Sequence, residues 1–302
     1  MGLLDRAISL TLPVVPRAVV RRFSRPYIAG ETVNDALHTV RTLADEGAMS
    51  TLDILGEFIS CDSEAEANTQ AYVDLVQRIH RDRIPEANIS VKLTALGLLL
   101  NENDCLERMR RLTAEVEAAS SFVRIDMEDS PCTDGTLRIY RALREEFGPA
   151  VGVVLQARLH RTLDDVAALT DEAASNFRIC KGIYLEPEEI AHTEFQPIRD
   201  SFMEILDSMV QRGAYVGIAT HDAWLVEQSY ALIQRHQLQP SQYEFQMLLG
   251  VLPGLRRRIL DEGHRLRVYV PFGANWYAYS VRRLRENPEI AGHVFKGLFR
   301  RG

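Results

Sequence analysis

RVYVPFGANWYAYSVRRLRENPEI, residues 267–290, sets the pattern by which the whole chain can be read. VYVPFG reads as a buried strand stopped by Pro271 and Gly273, and helix formers follow until Asn287-Pro288 ends them. On that helix Tyr279, Arg282, Arg283 and Glu286 fall at i, i+3, i+4 and i+7, so they share one face. Two neighbouring guanidiniums beside a phenol make a receptor for a small carboxylate. Taken alone, the same face also reads as a solvated Arg-rich surface.

The strand-then-helix unit recurs all along the chain. After Gly30, ETVNDALHTVRTLADEG has helical apolar spacing and stops at Gly47. STLDILGE, a short apolar run, precedes a polar helix from Ser63 to Arg81. NISVKLTALG leads into NDCLERMRRLTAEVEAAS, FVRIDMEDS into TDGTLRIYRALREEFG, and VGVVLQARL into TLDDVAALTDEAA. NFRICKGIYLEP precedes a helix around Arg199 to Arg212, AYVGIATHD leads into AWLVEQSYALIQRH, and YEFQMLLGV into PGLRRRILDEG. With the opening stretch these make eight units, at the spacing of about 25 to 40 residues expected of βαβ crossovers. Such alternation predicts an α/β fold whose parallel sheet closes into a (βα)8 barrel. An open doubly wound sheet is the competing architecture, but no GxGxxG turn follows any strand. No Gly-, Pro- or Ser-rich linker divides the chain, so the expected layout is an N-terminal arm and helix over residues 1–47 and a barrel over 48–302.

Composition narrows the partners. A 302-residue chain with 46% apolar and 25% charged residues has an ordinary globular makeup and room for one large core. The net charge of -7 speaks against nucleic acid. Cys61, Cys105, Cys132 and Cys180 form no CxxC pair, so neither zinc nor a disulfide framework is suggested, and a reducing cytoplasm fits. AISLTLPVVPRAVV is too short and too interrupted by Pro13, Pro16 and Arg17 to span a bilayer. Of the 35 basic residues only Lys92, Lys181 and Lys296 are lysines, and the first two fall at the ends of predicted strands.

In a parallel barrel, polar residues near the C-terminal strand ends converge on the site. Here those are Lys92 and Thr94; Arg124, Asp126 and Glu128 at period two; Gln156; Arg178 and Lys181; Thr220, His221 and Asp222; Gln246; and Tyr269. A core alone would not select this set, because buried charge is costly unless paired. Simpler roles exist for each member. Lys92 and Asp126 could form a structural ion pair, and His221 could be a hydrogen-bonded barrel-end histidine. Lys181 desolvated beside Arg178 could form a Schiff base, as in aldolases of this fold. A non-catalytic barrel that binds an amino acid is a further alternative. The set offers no good metal site, having one strand-end histidine.

SVKLTALG, VRIDMED, VVLQARL, RICKGIY, GIATHD, EFQMLLGV and RVYVPFG, followed by YSVRRLREN, occur in an order and at a spacing that resemble the flavin-dependent proline dehydrogenase family, in its monofunctional bacterial form. The resemblance spans residues 90 to 287. It implies a distorted (βα)8 barrel that binds FAD without a Rossmann domain, with the last barrel helix over the mouth. Carried over position by position, it implies that Lys92, Arg282 and Arg283 surround the carboxylate of L-proline, with Asp126 and Tyr269 beside the substrate. Leu248, Tyr269 and Tyr279 would wall the pyrrolidine ring, and Arg178 would lie near the flavin N5. Gln156, Lys181, Gly182, Thr220, His221 and Gln246 would line the isoalloxazine, ribityl chain and phosphates, while Glu286 would steady the helix arginines at the cofactor's edge. The implied reaction is oxidation of L-proline to 1-pyrroline-5-carboxylate, the first step of proline catabolism, with electrons passed to a quinone. A cytoplasmic protein, peripheral on the inner face of the membrane, is implied in the same way. Nothing in the residues fixes the number of subunits.

Overall fold

A computed structural model describes residues 20, 21, 24–56, 59–170, 175–277, 279 and 280. Eight parallel strands close into a barrel in chain order. They are β1 Met49–Ile54, β2 Ala87–Val91, β3 Val123–Ile125, β4 Val151–Gln156, β5 Asn176–Cys180, β6 Tyr215–Ala219, β7 Tyr243–Leu248 and β8 Leu266–Phe272. The ring is sealed where β1 pairs with β8 from Met49↔Arg267 to Ile54↔Phe272. Val- and Ile-rich runs such as VGVVLQ, buried at every position, are what a sheet covered on both faces demands.

Helices Val33–Asp45 (α1) and Asp62–Arg81 (α2) show how local chemistry sets the crossovers. Thr32 and Asp35 form a reciprocal capping box at the start of α1. Downstream of α1, Gly47 turns with φ 85°, a conformation that favours glycine. Leu75, Val76 and Ile79 of α2 lie in the apolar layer between helices and strands, which also includes Leu52, Ile89, Val123 and Phe177. Each such side chain contributes roughly 1.5–3 kcal/mol by leaving water.

Three expectations shift. Pro271 does not stop β8, which continues to Phe272; the proline needs only to accept there, and its carbonyl receives the Ala29 N–H at 3.0 Å. β3 ends at Ile125, so Asp126 and Glu128 stand just beyond it. The helix expected over TLDDVAALTDEAA ends at Leu169, where Thr170 turns extended, and residues 171–174 lie outside the described set. Within the described part of the arm, Arg25–Tyr27 forms a 3-10 turn. Residues 1–19 and the region from 281 onward, including the rest of the last predicted helix, lie outside the described residues.

Candidate active site

The inward-facing positions of this barrel hold charge where a hydrocarbon core would be the default. At the deep end, Arg124 is buried and donates to the Val153 carbonyl and to the carbonyl and side chain of Asn176. Also deep, Arg267 Nε meets Glu244 Oε1 at 2.7 Å and Tyr215 donates to Glu244 Oε2 at 2.9 Å. One layer up, Arg178 Nη1 reaches Asp126 Oδ1 at 2.7 Å, and its Nε donates to Gln246 Oε1. Ser90 Oγ adds a bond to the same Asp126 oxygen at 2.6 Å, and Gln246 passes the chain on to Glu244 at 2.6 Å. Residues spaced two apart on β7, with Ser90, Asp126 and Arg178 from β2, the end of β3 and β5, thus build a polar column.

At the top of the column Tyr269 donates to Asp126 Oδ2 at 2.8 Å and accepts from Lys92 Nζ at 3.1 Å. Lys92 Nζ is 3.7 Å from Asp126 Oδ2 and 2.9 Å from Asp53 Oδ2. The lysine follows β2 at the start of a 3-10 turn, Leu93–Leu96, whose Thr94 N–H and hydroxyl bond to Glu128. Glu128 therefore fixes the backbone that carries Lys92. Burial, then the negative charges of Asp126 and Asp53, raise the Tyr269 pKa well above its ordinary value, so the phenol stays neutral.

Above the column opens a cavity of about 540 Å³, within the size range of small-molecule sites. Lys92, Asp126, Gln156, Arg178, Lys181, Gly182, Thr220, His221, Gln246, Leu248, Tyr269 and Tyr279 all line it. Every described residue that the resemblance assigns to the site is thus brought to one place. Arg282, Arg283 and Glu286 lie outside the described residues. Arg124, Thr94 and Glu128, singled out with the strand ends, do not line the cavity.

The rim corrects one reading and agrees with another. Lys181 is no desolvated Schiff-base lysine beside Arg178: its ammonium pairs with Asp222 and lies 4.5 Å from the Phe195 ring centroid. Arg199 binds both oxygens of the same carboxylate at 2.8 and 2.7 Å. Burial opposes ionisation of Asp222, but the bonds from Arg199 and Lys181 outweigh it and hold the carboxyl well below its ordinary range. His221, just past β6, uses Nε2 to accept the Leu248 N–H at 2.9 Å and so ties the end of β6 to β7, as a hydrogen-bonded barrel-end histidine does.

Gln156 Oε1 is buried without a hydrogen-bond partner, while its Nε2 donates to the Glu128 carbonyl at 2.7 Å. A Cβ at Gly182, where φ is 91°, would lie 2.6 Å from that oxygen. An unmatched acceptor in the wall of an apolar-sided cavity suits a planar ligand with a ring N–H, and a flavin meets that description. Among the described residues no group of three or more His, Cys, Asp or Glu could hold a metal ion.

A family model described as proline dehydrogenase matches residues 36–295. The chain belongs to the proline dehydrogenase family. Proline dehydrogenase 1 of Bacillus subtilis (strain 168) is 34% identical over 278 residues, which cover 92% of this chain and 91% of the relative. Proline dehydrogenase of Deinococcus radiodurans is likewise 34% identical over 278 residues, covering 91% and 89%. In fold, the chain is similar to proline utilization A (PutA) from Bdellovibrio bacteriovorus, solved after inactivation by N-propargylglycine. That match has a TM-score of 0.85 at 24% identity and covers 95% of this chain and 35% of the other. Membership of the proline dehydrogenase family makes this chain an oxidoreductase acting on proline, and neither the aldolase nor the binding-protein alternative is supported.

The sequence reading missed Asp53 and Tyr72, which stand behind Lys92, and the Glu244–Arg267 pair at the deep end. A lone aspartate in the apolar run STLDILGE was the available signal, since barrel strands buried on both faces are otherwise near-continuously apolar.

Proposed function

We propose that this chain is an FAD-dependent L-proline dehydrogenase whose chemistry sits in the 540 Å³ cavity, between the Lys92–Asp126–Tyr269 cluster and the Gln156–Gly182 wall. The observation that carries the reading is the convergence of those strand-end groups beneath one cavity in a chain of this family. In this reading Lys92 joins Arg282 and Arg283 around the substrate carboxylate, and Leu248, Tyr269 and Tyr279 pack the ring. Fixing a substrate in this way can supply ~7 to 11 kcal/mol toward the barrier. As hydride leaves C5, the amine lone pair forms the new C=N bond, and Asp126 offers negative potential to the positive charge that develops.

Arg178 holds Asp126 in place at 2.7 Å while keeping a positive charge near the cavity floor. Gln156, Gly182, Thr220, His221 and Gln246 would hold the cofactor's ring and chain, and Lys181 its phosphates, with Glu286 steadying the helix arginines. A flavin bound there supplies the acceptor for the hydride. Electron transfer to a quinone, from a cytoplasmic protein held peripherally on the inner face of the membrane, belongs to the same proposal. Among the described residues no helix is long and apolar enough to cross a membrane.

The purified protein should carry a flavin absorbance spectrum and reduce a dye acceptor when given proline. Colourless protein that takes up no FAD would remove the cofactor from the proposal. Arg283→Met should raise KM for proline by about two orders of magnitude with flavin retained, within the ~2–5 kcal/mol expected when a buried charge pair loses one partner. An unchanged KM would put the carboxylate elsewhere.

A further inference from the structure

Asp53 lies near the end of β1 with 1% of its surface exposed. A carboxylate taken so fully out of water is costly unless it is paired and hydrogen-bonded. Its two oxygens meet different partners. Oδ2 accepts from Lys92 Nζ at 2.9 Å, and Oδ1 accepts from the Tyr72 hydroxyl at 3.2 Å. Tyr72 reaches over from α2 and is itself fixed by the Ile54 N–H, which donates to its oxygen at 3.1 Å. Asp53 is thus held rigidly by a helix outside the barrel, whereas Lys92 has a flexible four-carbon stem.

Lys92 stands between two carboxylates, 2.9 Å from Asp53 and 3.7 Å from Asp126. Asp126 already accepts from Tyr269, Ser90 and Arg178. Were Asp53 neutral, Asp126 would still stand 3.7 Å from the ammonium with its negative charge. The ammonium would move toward it and compete with Tyr269 and Arg178 for its oxygens.

We infer that Asp53 is a positioning residue for substrate binding: it holds the Lys92 ammonium at its own side of the cavity floor, so that Lys92 meets the proline carboxylate instead of collapsing onto Asp126. This rests on the reading of Lys92 as a carboxylate ligand. Asp53 acts through Lys92, without contact to the reacting atoms.

The test measures KM and kcat for proline, flavin content and Tm for holoenzyme carrying Asp53→Asn, Lys92→Met or both. Asp53→Asn should raise KM about tenfold or more, with a smaller change in kcat. In the Lys92→Met background the same change should add less than about twofold, the non-additivity expected of residues that act as a unit. Tyr72→Phe keeps the buried charge and removes one bond to it; it should raise KM about two- to fivefold, again only while Lys92 is present. Should Asp53→Asn protein fail to fold or hold flavin, the Tyr72→Phe cycle decides the matter. A KM effect equal in both backgrounds, or a lower Tm with KM unchanged, would make Asp53 a purely structural member of the barrel and overturn the inference. An unchanged KM in Lys92→Met alone would overturn both this inference and the assignment of Lys92, whereas a raised KM there with none from Asp53→Asn would overturn the inference only.

Discussion

At Asp222 a single carboxylate serves Lys181 and Arg199 and also accepts the Trp224 N–H at 3.1 Å, capping the helix Ala223–Arg235. Its side chain is only 8% exposed, so these partners are poorly screened by water. Because the folded state depresses its pKa from 3.8, the stability it contributes is complete above the ordinary carboxylate range and is lost as pH falls toward the folded value. Asp222→Asn should therefore be less stable than the parent at neutral pH, and the gap should narrow once pH drops below about 3.9. Urea unfolding of both proteins across that range measures it. A gap independent of pH would mean that the amide loses only a cap, not an ion pair.

Between neighbouring strands there is a tight requirement at Gly217 of β6, beside Gln246 of β7. A Cβ there would lie 2.5 Å from Gln246 Nε2 and 2.9 Å from its Cδ. The amide cannot easily move away, because one end accepts from Arg178 and the other donates to Glu244. Gly217→Ala should cost about 1–3 kcal/mol by overpacking and lower kcat by loosening Arg178, read by urea unfolding and a dye-coupled assay. At this scale most of the architecture was legible in the sequence. Apolar runs gave the strands, 3.6-residue spacing gave the helices, and Gly47 marked where the first helix ends. The site's strand-end residues were legible for the same reason, since a parallel barrel gathers them automatically. Asp53 was not, because its meaning lies in Lys92, 39 residues away, and periodicity carries no information about such a pairing.

Closure of the whole barrel depends on contacts that no local pattern encodes. Arg267 of β8 crosses the seam between the last and first strands, donating to the Ser50 carbonyl at 2.8 Å and the Glu86 carbonyl at 3.2 Å. The same guanidinium neutralises Glu244, which is 2% exposed. Burial opposes ionisation of Glu244, but Arg267, with help from Tyr215 and Gln246, outweighs it and holds the carboxyl below its ordinary range. Arg267→Met would strand that carboxylate in the interior, and removing one partner of a buried pair costs about 3–5 kcal/mol. If the stranded charge dominates, adding Glu244→Gln to Arg267→Met should recover a good part of the loss in urea unfolding. An equal loss in the single and double variants would instead assign the cost to the two carbonyl bonds across the seam, and closure would rest on backbone ties more than on the buried ion pair.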